Sequence, residues 1–274
     1  MRPQKGTTSS KVKSACALCA FLWLSSLVIF AQDARSLTPT QFEIQKQQQR
    51  LGSSDVEERR DAVMRLGTMR LAAASRAALP ALQDVAAIVR VTAAKAILSI
   101  GSEESVPYLL PLLNDKDEFV RREAAYALGL TRSRSATAAL SERLLNDKED
   151  GVRGAAAVAL SQIGDEAAVI ALVGTLAPEL SAPEKKKRKR EPNVFVLRAA
   201  AVALGQIKSR AGTAALVSAL SNEKLPSDVR REAARSLGLI GDPSAAPALR
   251  TAATAADPFL AEIAHQALRK LSRS

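Results

Sequence analysis

Few residues of this chain have types and spacings suited to chemistry. A single histidine, His265, stands in AEIAHQALRKL, where Ile263, Ala267, Leu268 and Leu271 supply the apolar positions of a helix. One imidazole cannot assemble a multi-histidine metal site, and no nucleophile motif accompanies it, so a partly exposed place on the last helix is expected. Cys16 and Cys19 have the CxxC spacing of redox and thiolate-metal sites, but both sit in an N-terminal apolar stretch, and the following 243 residues contain no cysteine. The adjacent carboxylates Glu103-Glu104 and Asp117-Glu118 fall at predicted turns and helix starts. There they serve as caps and partners of the helix dipole, not as an acid/base pair. Neither a glycine-rich phosphate loop nor a GxSxG elbow occurs. The residues therefore predict no catalytic group, no metal ligand and no cofactor.

The remaining conspicuous chemistry is charge. The 274 residues carry a net charge of +11, with 47% hydrophobic and 3% aromatic composition. Residues 1–31 hold four cations and no acid, and Lys185, Lys186, Lys187, Arg188, Lys189 and Arg190 form an unbroken run of six; removing both segments leaves +1. The run is flanked by Pro183, Glu184, Glu191 and Pro192; six like charges repel and the prolines resist helix, so a solvated loop is expected. Its natural partners are anionic: lipid, polysaccharide or an acidic protein surface. Nucleic acid fits poorly, because the near-neutral body offers neither a basic stripe nor an aromatic stacking platform.

The beginning of the chain reads as a leader. A basic segment precedes Ala15–Ala31, a 17-residue apolar stretch, and QDARS follows. Cleavage after Ala31 leaves Ile29 where a small residue is usual, and 17 residues is near the lower limit for a span, so residues 1–31 read as a signal peptide or an uncleaved anchor. Either version predicts an exported body, periplasmic or held at the cell envelope of a bacterium, with the basic N-terminus inside.

The elements that must position any site are repetitive. VRREAAYALGL at Val120–Leu130 and VRREAARSLGL at Val229–Leu239 match at nine of eleven positions. Aligned on the residue before the usual arginine, the units begin at Glu58, Val89, Val120, Val152, Val196, Val229 and Leu260, at intervals of 31, 31, 32, 44, 33 and 31 residues. One insertion, residues 178–193, accounts for the long interval and contains the basic run. Each unit carries two apolar stretches of helical period. In the fourth, Val152, Ala155, Ala156, Ala159, Leu160 and Ile163 line a first helix, Gly164 suits its left-handed C-terminus, and Val169, Leu172, Val173 and Leu176 line a second. Asp165, Asp242-Pro243 and Asp257-Pro258 are helix-start signals. No strand alternation occurs. The fold class predicted is all-α: an α-solenoid of about seven helix pairs over 55–274, preceded by a linker or capping helix at 32–54. Phe42 and Ile44 are expected to dock that helix, and Ser54 to Glu57 to form a capping box.

The quoted motifs resemble the HEAT-like repeats of phycobilin-lyase type. They include Val120-Arg121…Ala124-Ala125…Leu128-Gly129, the corresponding Val229 to Asp242 segment, and Ala245-Ala246-Pro247-Ala248-Leu249. The resemblance implies stacked helix pairs and a surface that binds another protein. It also implies that second helices line a groove, which makes Tyr108, Glu142 and Arg143 candidate contacts beside the basic run. The first-helix arginines Arg59, Arg90, Arg121, Arg153 and Arg230 are expected to form a structural ladder with acids such as Asp84, Asp115 and Asp147. Leu197 stands in the arginine slot of the fifth unit, with Arg198 one place late, so a break is expected there. Two enzymes of similar construction bear on function. Deoxyhypusine hydroxylase holds iron through His-Glu pairs, and this chain has none, since Gln266 follows His265. Phycobilin lyases act inside the cell, which conflicts with the leader. The expectation is a non-catalytic scaffold, with a lyase-like or hydroxylase-like enzyme or enzyme accessory as the alternative.

Overall fold

The computed structural model describes residues 37–177 and 193–272. The leader at 1–31, the basic run 185–190 and nearly all of the insertion lie outside the described residues. Fourteen α-helices and short 3-10 turns make up the described chain, without a strand. Helix α1 (Pro39–Arg50) precedes the array. The first helices are α2 (Val56–Thr68), α4 (Ala87–Ala96), α6 (Glu118–Thr131), α8 (Asp150–Ile163), α10 (Val194–Ile207), α12 (Ser227–Ile240) and α14 (Pro258–Leu271). The second helices are α3 (Ala72–Ala78), α5 (Ser102–Leu109), α7 (Thr137–Asn146), α9 (Val169–Leu176), α11 (Thr213–Ser221) and α13 (Ala246–Ala252). The expected seven pairs are thus six pairs and a seventh first helix among the described residues.

Alanine density decides how the two layers pack. First helices lie directly against first helices, whereas second helices meet one another sparsely. Gly129 shows how close the approach is: a Cβ there would stand 2.7 Å from Cα of Ala159 in the next unit. Only a residue without a side chain fits, so any larger one must push two backbones apart. Leucines fill the space between layers, with Leu128, Leu140, Leu160, Leu172, Leu204 and Leu216 fully buried. Burying each such side chain contributes about 2 kcal/mol.

Helix ends follow the sequence with corrections. Gly164 and Gly241 end α8 and α12 at φ 70° and 73°, but Arg132 and Lys208 hold the equivalent left-handed positions at φ 53° and 60°. The expected Ser54 capping box is absent: Asp55 caps α2, its carboxylate accepting from the Glu57 N–H at 2.9 Å. The box occurs instead at α1, between Thr38 and Gln41. Helix α1 docks on α2 and α3 through buried Ile44 and Gln47, while Phe42 points to solvent.

The arginine ladder exists over the first three units. Arg59 forks onto Asp84 at 2.7 and 2.9 Å, Arg90 onto Asp115 at 2.8 and 2.7 Å, and Arg121 onto Asp147 at 2.8 and 2.9 Å. Each arginine also donates Nη1 to two carbonyls of the loop before its own helix, such as those of Asp115 and Lys116 for Arg121. The side chain therefore ties the entry of one unit to the exit of that unit's second helix. Further along, Arg153 pairs with Asp150 at 2.7 Å and donates to the Leu144 carbonyl. Arg230 departs from the expected ladder: it donates to the Leu220 carbonyl at 3.0 Å and forms no ion pair among the described residues. Leu197 is buried in the fifth unit's arginine slot, as the sequence suggested.

Candidate functional site

A chain short of aromatic residues would be expected to bury them, since each contributes a large apolar area. All four phenylalanines of the described residues are instead on the surface: Phe42, Phe119, Phe195 and Phe259 are 61%, 49%, 46% and 67% exposed. Three of them share one position of the repeat, immediately before the Val or Leu that begins the buried face of a first helix. Exposed Ile88 holds the same place on α4. Large apolar side chains thus stand at the N-terminal ends of four of the seven first helices, an interrupted row in which Glu57, Gly151 and Asp228 hold the position on the other three. The sequence signal for it was the recurrence of Phe before Val120, Val196 and Leu260, which the ladder motif beside it obscured.

The row is not uniform, because its grooves are closed in different ways. Between α12 and α14, Arg231 crosses to Asp257 with bonds of 3.0 and 2.9 Å, and its guanidinium lies 5.1 Å from the Phe259 ring centre. Between α8 and α10, the preceding unit supplies Gly154, and the Phe195 ring settles directly on it. Between α4 and α6, the residue equivalent to Arg231 is Val91, and neither closure occurs. A cavity of about 350 Å³ remains there, lined by Ala87, Ile88, Val91, Asp117, Phe119, Arg122 and Glu123.

Three polar groups edge this cavity. Asp117 caps α6 by accepting from the N–H groups of Phe119 and Val120 at 2.9 and 3.2 Å. Arg122 lies 4.9 Å from the Phe119 ring centre and leans toward Gly151 of the next unit. Glu123 is mostly buried; its Oε1 stands 3.2 Å from Nζ of exposed Lys95, yet no hydrogen bond of good geometry reaches it. Apolar walls with two carboxylates suit the capture of one side chain rather than bond-breaking. Among the described residues, no group of three or more His, Cys, Asp or Glu side chains is arranged to hold a metal.

The sequence candidates sit elsewhere. Tyr108 on α5 is exposed, Glu142 on α7 is exposed, and half-buried Arg143 lies 3.8 Å from Glu142 and 3.7 Å from Asp147. No hydrogen bond or ion pair among the described residues joins Tyr108 to the other two. All three are on the sparsely packed second-helix layer. Lys185–Arg190 lie outside the described residues, and His265 is exposed on α14. No described helix is long and apolar enough to cross a membrane.

The ladder carboxylates are perturbed for structural reasons. The Arg59 guanidinium draws Asp84 below the ordinary carboxylate range. Burial pushes Asp115 and Asp147 up, but hydrogen bonds from Arg90 or Arg121 and from the backbone outweigh it, so both also lie below that range. Being spent in buried pairs, they are unavailable to a ligand.

Similarity to known proteins accords with this architecture. The YibA protein of Escherichia coli has a solved structure like this one, with 21% identity over 99% of this chain and 100% of that chain and a TM-score of 0.61. The complex of CpcE and CpcF of phycocyanin lyase from Nostoc sp. PCC7120 matches at 26% identity, covering 87% of this chain and 92% of that one, with a TM-score of 0.50. Human deoxyhypusine hydroxylase matches at 20% identity, 85% and 96% coverage and a TM-score of 0.42. Comparison with curated protein sequences returns no match. The family model for HEAT repeats matches residues 44–129, 77–160, 112–181 and 186–269. With these matches spanning most of its length, the chain belongs to the HEAT-repeat family.

Proposed function

We propose that this protein is an exported, non-catalytic scaffold that binds another protein along the surface of its repeat array. One observation carries the reading: in a chain with few aromatic residues, three phenylalanines are displayed at one repeat position instead of being buried. Large exposed apolar side chains repeated at one helical position are typical of contact surfaces. The basic run Lys185–Arg190 serves as a second contact, with an anionic lipid surface or an acidic protein, and Tyr108, Glu142 and Arg143 form a lesser one on the second helices. The leader-like composition of residues 1–31 supports a place in the periplasm or at the cell envelope.

Photo-crosslinking from Phe119, Phe195 and Phe259 in cells, followed by recovery from membrane and soluble envelope fractions, tests the reading. One protein captured from all three positions supports it; crosslinks confined to the chain itself overturn it. Replacing Lys185–Arg190 with Gly and Ser should leave thermal stability unchanged, because exposed like charges stabilise little. It should also remove any binding to anionic vesicles, and that binding should fade with salt, whose Debye length is about 8 Å at physiological strength.

A lyase-like enzyme accessory is the second reading, favoured by the likeness to CpcE and CpcF. It would be adopted if the purified protein carried a bilin in stoichiometric amount. Stoichiometric iron would point instead to hydroxylase-type chemistry.

A further inference from the structure

We infer that the cavity between α4 and α6 is a receptor for one arginine side chain of a protein partner. The inference rests on the scaffold reading and supplies the chemistry of its anchor. Equivalent grooves of the molecule show what this one would take. In the groove between α12 and α14, a guanidinium from the preceding helix lies between the cap carboxylate Asp257 and the Phe259 ring. Asp117 and Phe119 reproduce that carboxylate and ring at the same repeat positions on α6. No guanidinium arrives from the preceding helix, since Val91 stands in the place of Arg231; the Phe119 ring carries Arg122 of its own helix instead, 4.9 Å from the ring centre, and the cap carboxylate Asp117 is left without one.

What remains fits the missing group. The cavity of about 350 Å³ is large enough for a side chain and small for a cofactor. Its walls, Ile88, Val91 and Phe119, suit the methylene stem of an arginine and a flat cation against a ring. Asp117 makes no ion pair among the described residues, although it already accepts two backbone N–H groups. Glu123 Oε1 is buried and, among the described residues, pairs only with exposed Lys95, whose Nζ stands 3.2 Å away without a well-aligned hydrogen bond. An entering guanidinium has five N–H groups in a fixed fork, enough to address both carboxylates. Lysine has a strongly hydrated point charge and cannot stack, so arginine is the better occupant. Arg122 fills only part of this role: it lies over the Phe119 ring but makes no hydrogen bond or ion pair with Asp117 or Glu123 among the described residues, and its side chain also approaches Gly151, in the unit beyond α6.

The test uses the full chain and the blocked peptide acetyl-Ala-Arg-Ala-amide, with lysine and citrulline counterparts, followed by methyl NMR. The arginine peptide should shift Ile88 and Val91 saturably. The citrulline peptide, equal in shape but uncharged, should bind about tenfold or more weakly, as expected for loss of a charge-assisted bond. Val91→Arg supplies the guanidinium internally; it should abolish the response and raise the melting temperature. Asp117→Asn keeps a helix cap and removes the charge, so it should weaken binding about tenfold even if Val91→Arg fails to fold. Arg231→Val should open an equivalent cavity and create a second response, at Ile263. Equal binding of all three peptides, or no shift at Ile88 and Val91, overturns the receptor. The scaffold reading is judged separately: a protein crosslinked equally to wild type and Val91→Arg leaves the scaffold standing and removes the cavity from its interface.

Discussion

The junctions within the first four repeat units and the junction after the fifth solve one geometric problem with different chemistry. At the former, a buried arginine forks onto an aspartate 25 or 26 residues later, and the same aspartate turns the chain into the next helix. Asp84 accepts from Ala86 N at 2.8 Å, Asp115 from Asp117 N at 2.9 Å and Asp147 from Glu149 N at 3.0 Å. At the latter, Leu197 replaces the arginine and Asn222 the aspartate, and Asn222 still accepts from Lys224 N at 3.0 Å. The acid has thus lost its charge where the base is gone, while the turn it makes is retained. The backbone turn is the common requirement, and the ion pair is an addition to it. That separates two roles that the ladder motif fuses.

The largest effect should come from breaking a pair on one side only. Arg121→Met leaves Asp147, which is 3% exposed, facing a side chain that cannot solvate it. A loss of about 3 kcal/mol in unfolding free energy is expected, at the low end for a broken buried pair because Arg143 remains 3.7 Å away. Chemical denaturation of the two proteins checks it, and a loss below about 1 kcal/mol would mean that water reaches Asp147.

Acid should distinguish the two kinds of junction more gently. Asp84, Asp115 and Asp147 all have folded-state affinities for protons below the ordinary carboxylate range. A depressed carboxylate stabilises the fold above its unfolded value, near pH 4, and that contribution disappears as pH falls through the folded value. The expected result is that α2, α4 and α6 lose hydrogen-exchange protection between pH 5 and pH 3. The α10–α11 pair, joined to α12 by a residue that does not titrate, should keep more of its own. In a stack whose units contact only neighbours, such local differences are observable.

These contrasts also show what the sequence made legible. The fold was readable because the unit recurs: Ala124, Ala125 and Leu128 reappear as Ala233, Ala234 and Leu237, and all six are buried. The ladder was readable for the same reason over three units, but not its end: Arg153, expected to continue it, pairs with Asp150 of its own helix one unit before Leu197 takes the arginine slot. The cavity was not, because it arises from an exception. Val91 is an unremarked apolar residue in α4 until Arg231 and Gly154, at the same place in other units, show what else the groove accommodates. Phe42 was misplaced because an apolar residue on a short helix has two faces to choose from, and Ile44 took the buried one. Second-helix candidates such as Tyr108, which is exposed, followed from a resemblance, which carries the arrangement of helices but not the aromatic positions of the first-helix layer.

The smallest net effect should come from transplanting the ladder into the fifth junction with Leu197→Arg and Asn222→Asp. Leu197→Arg alone removes a buried leucine, about 2 kcal/mol, and leaves a cation in its place without an acid. Asn222→Asp alone is milder: residue 222 is exposed, and a carboxylate makes the same bond to Lys224 N that the amide oxygen makes now. If the equivalent positions have equivalent geometry, the double variant should recover part of the loss, with a favourable coupling of about 1 kcal/mol in a double-mutant cycle. It should nonetheless remain no more stable than the wild type, because a packed hydrophobic side chain commonly equals or surpasses a buried ion pair. A coupling of zero would show that the fifth junction has diverged in shape as well as in chemistry. A double variant clearly more stable than the wild type would show that the ladder drives folding and does not merely fix the register of the units.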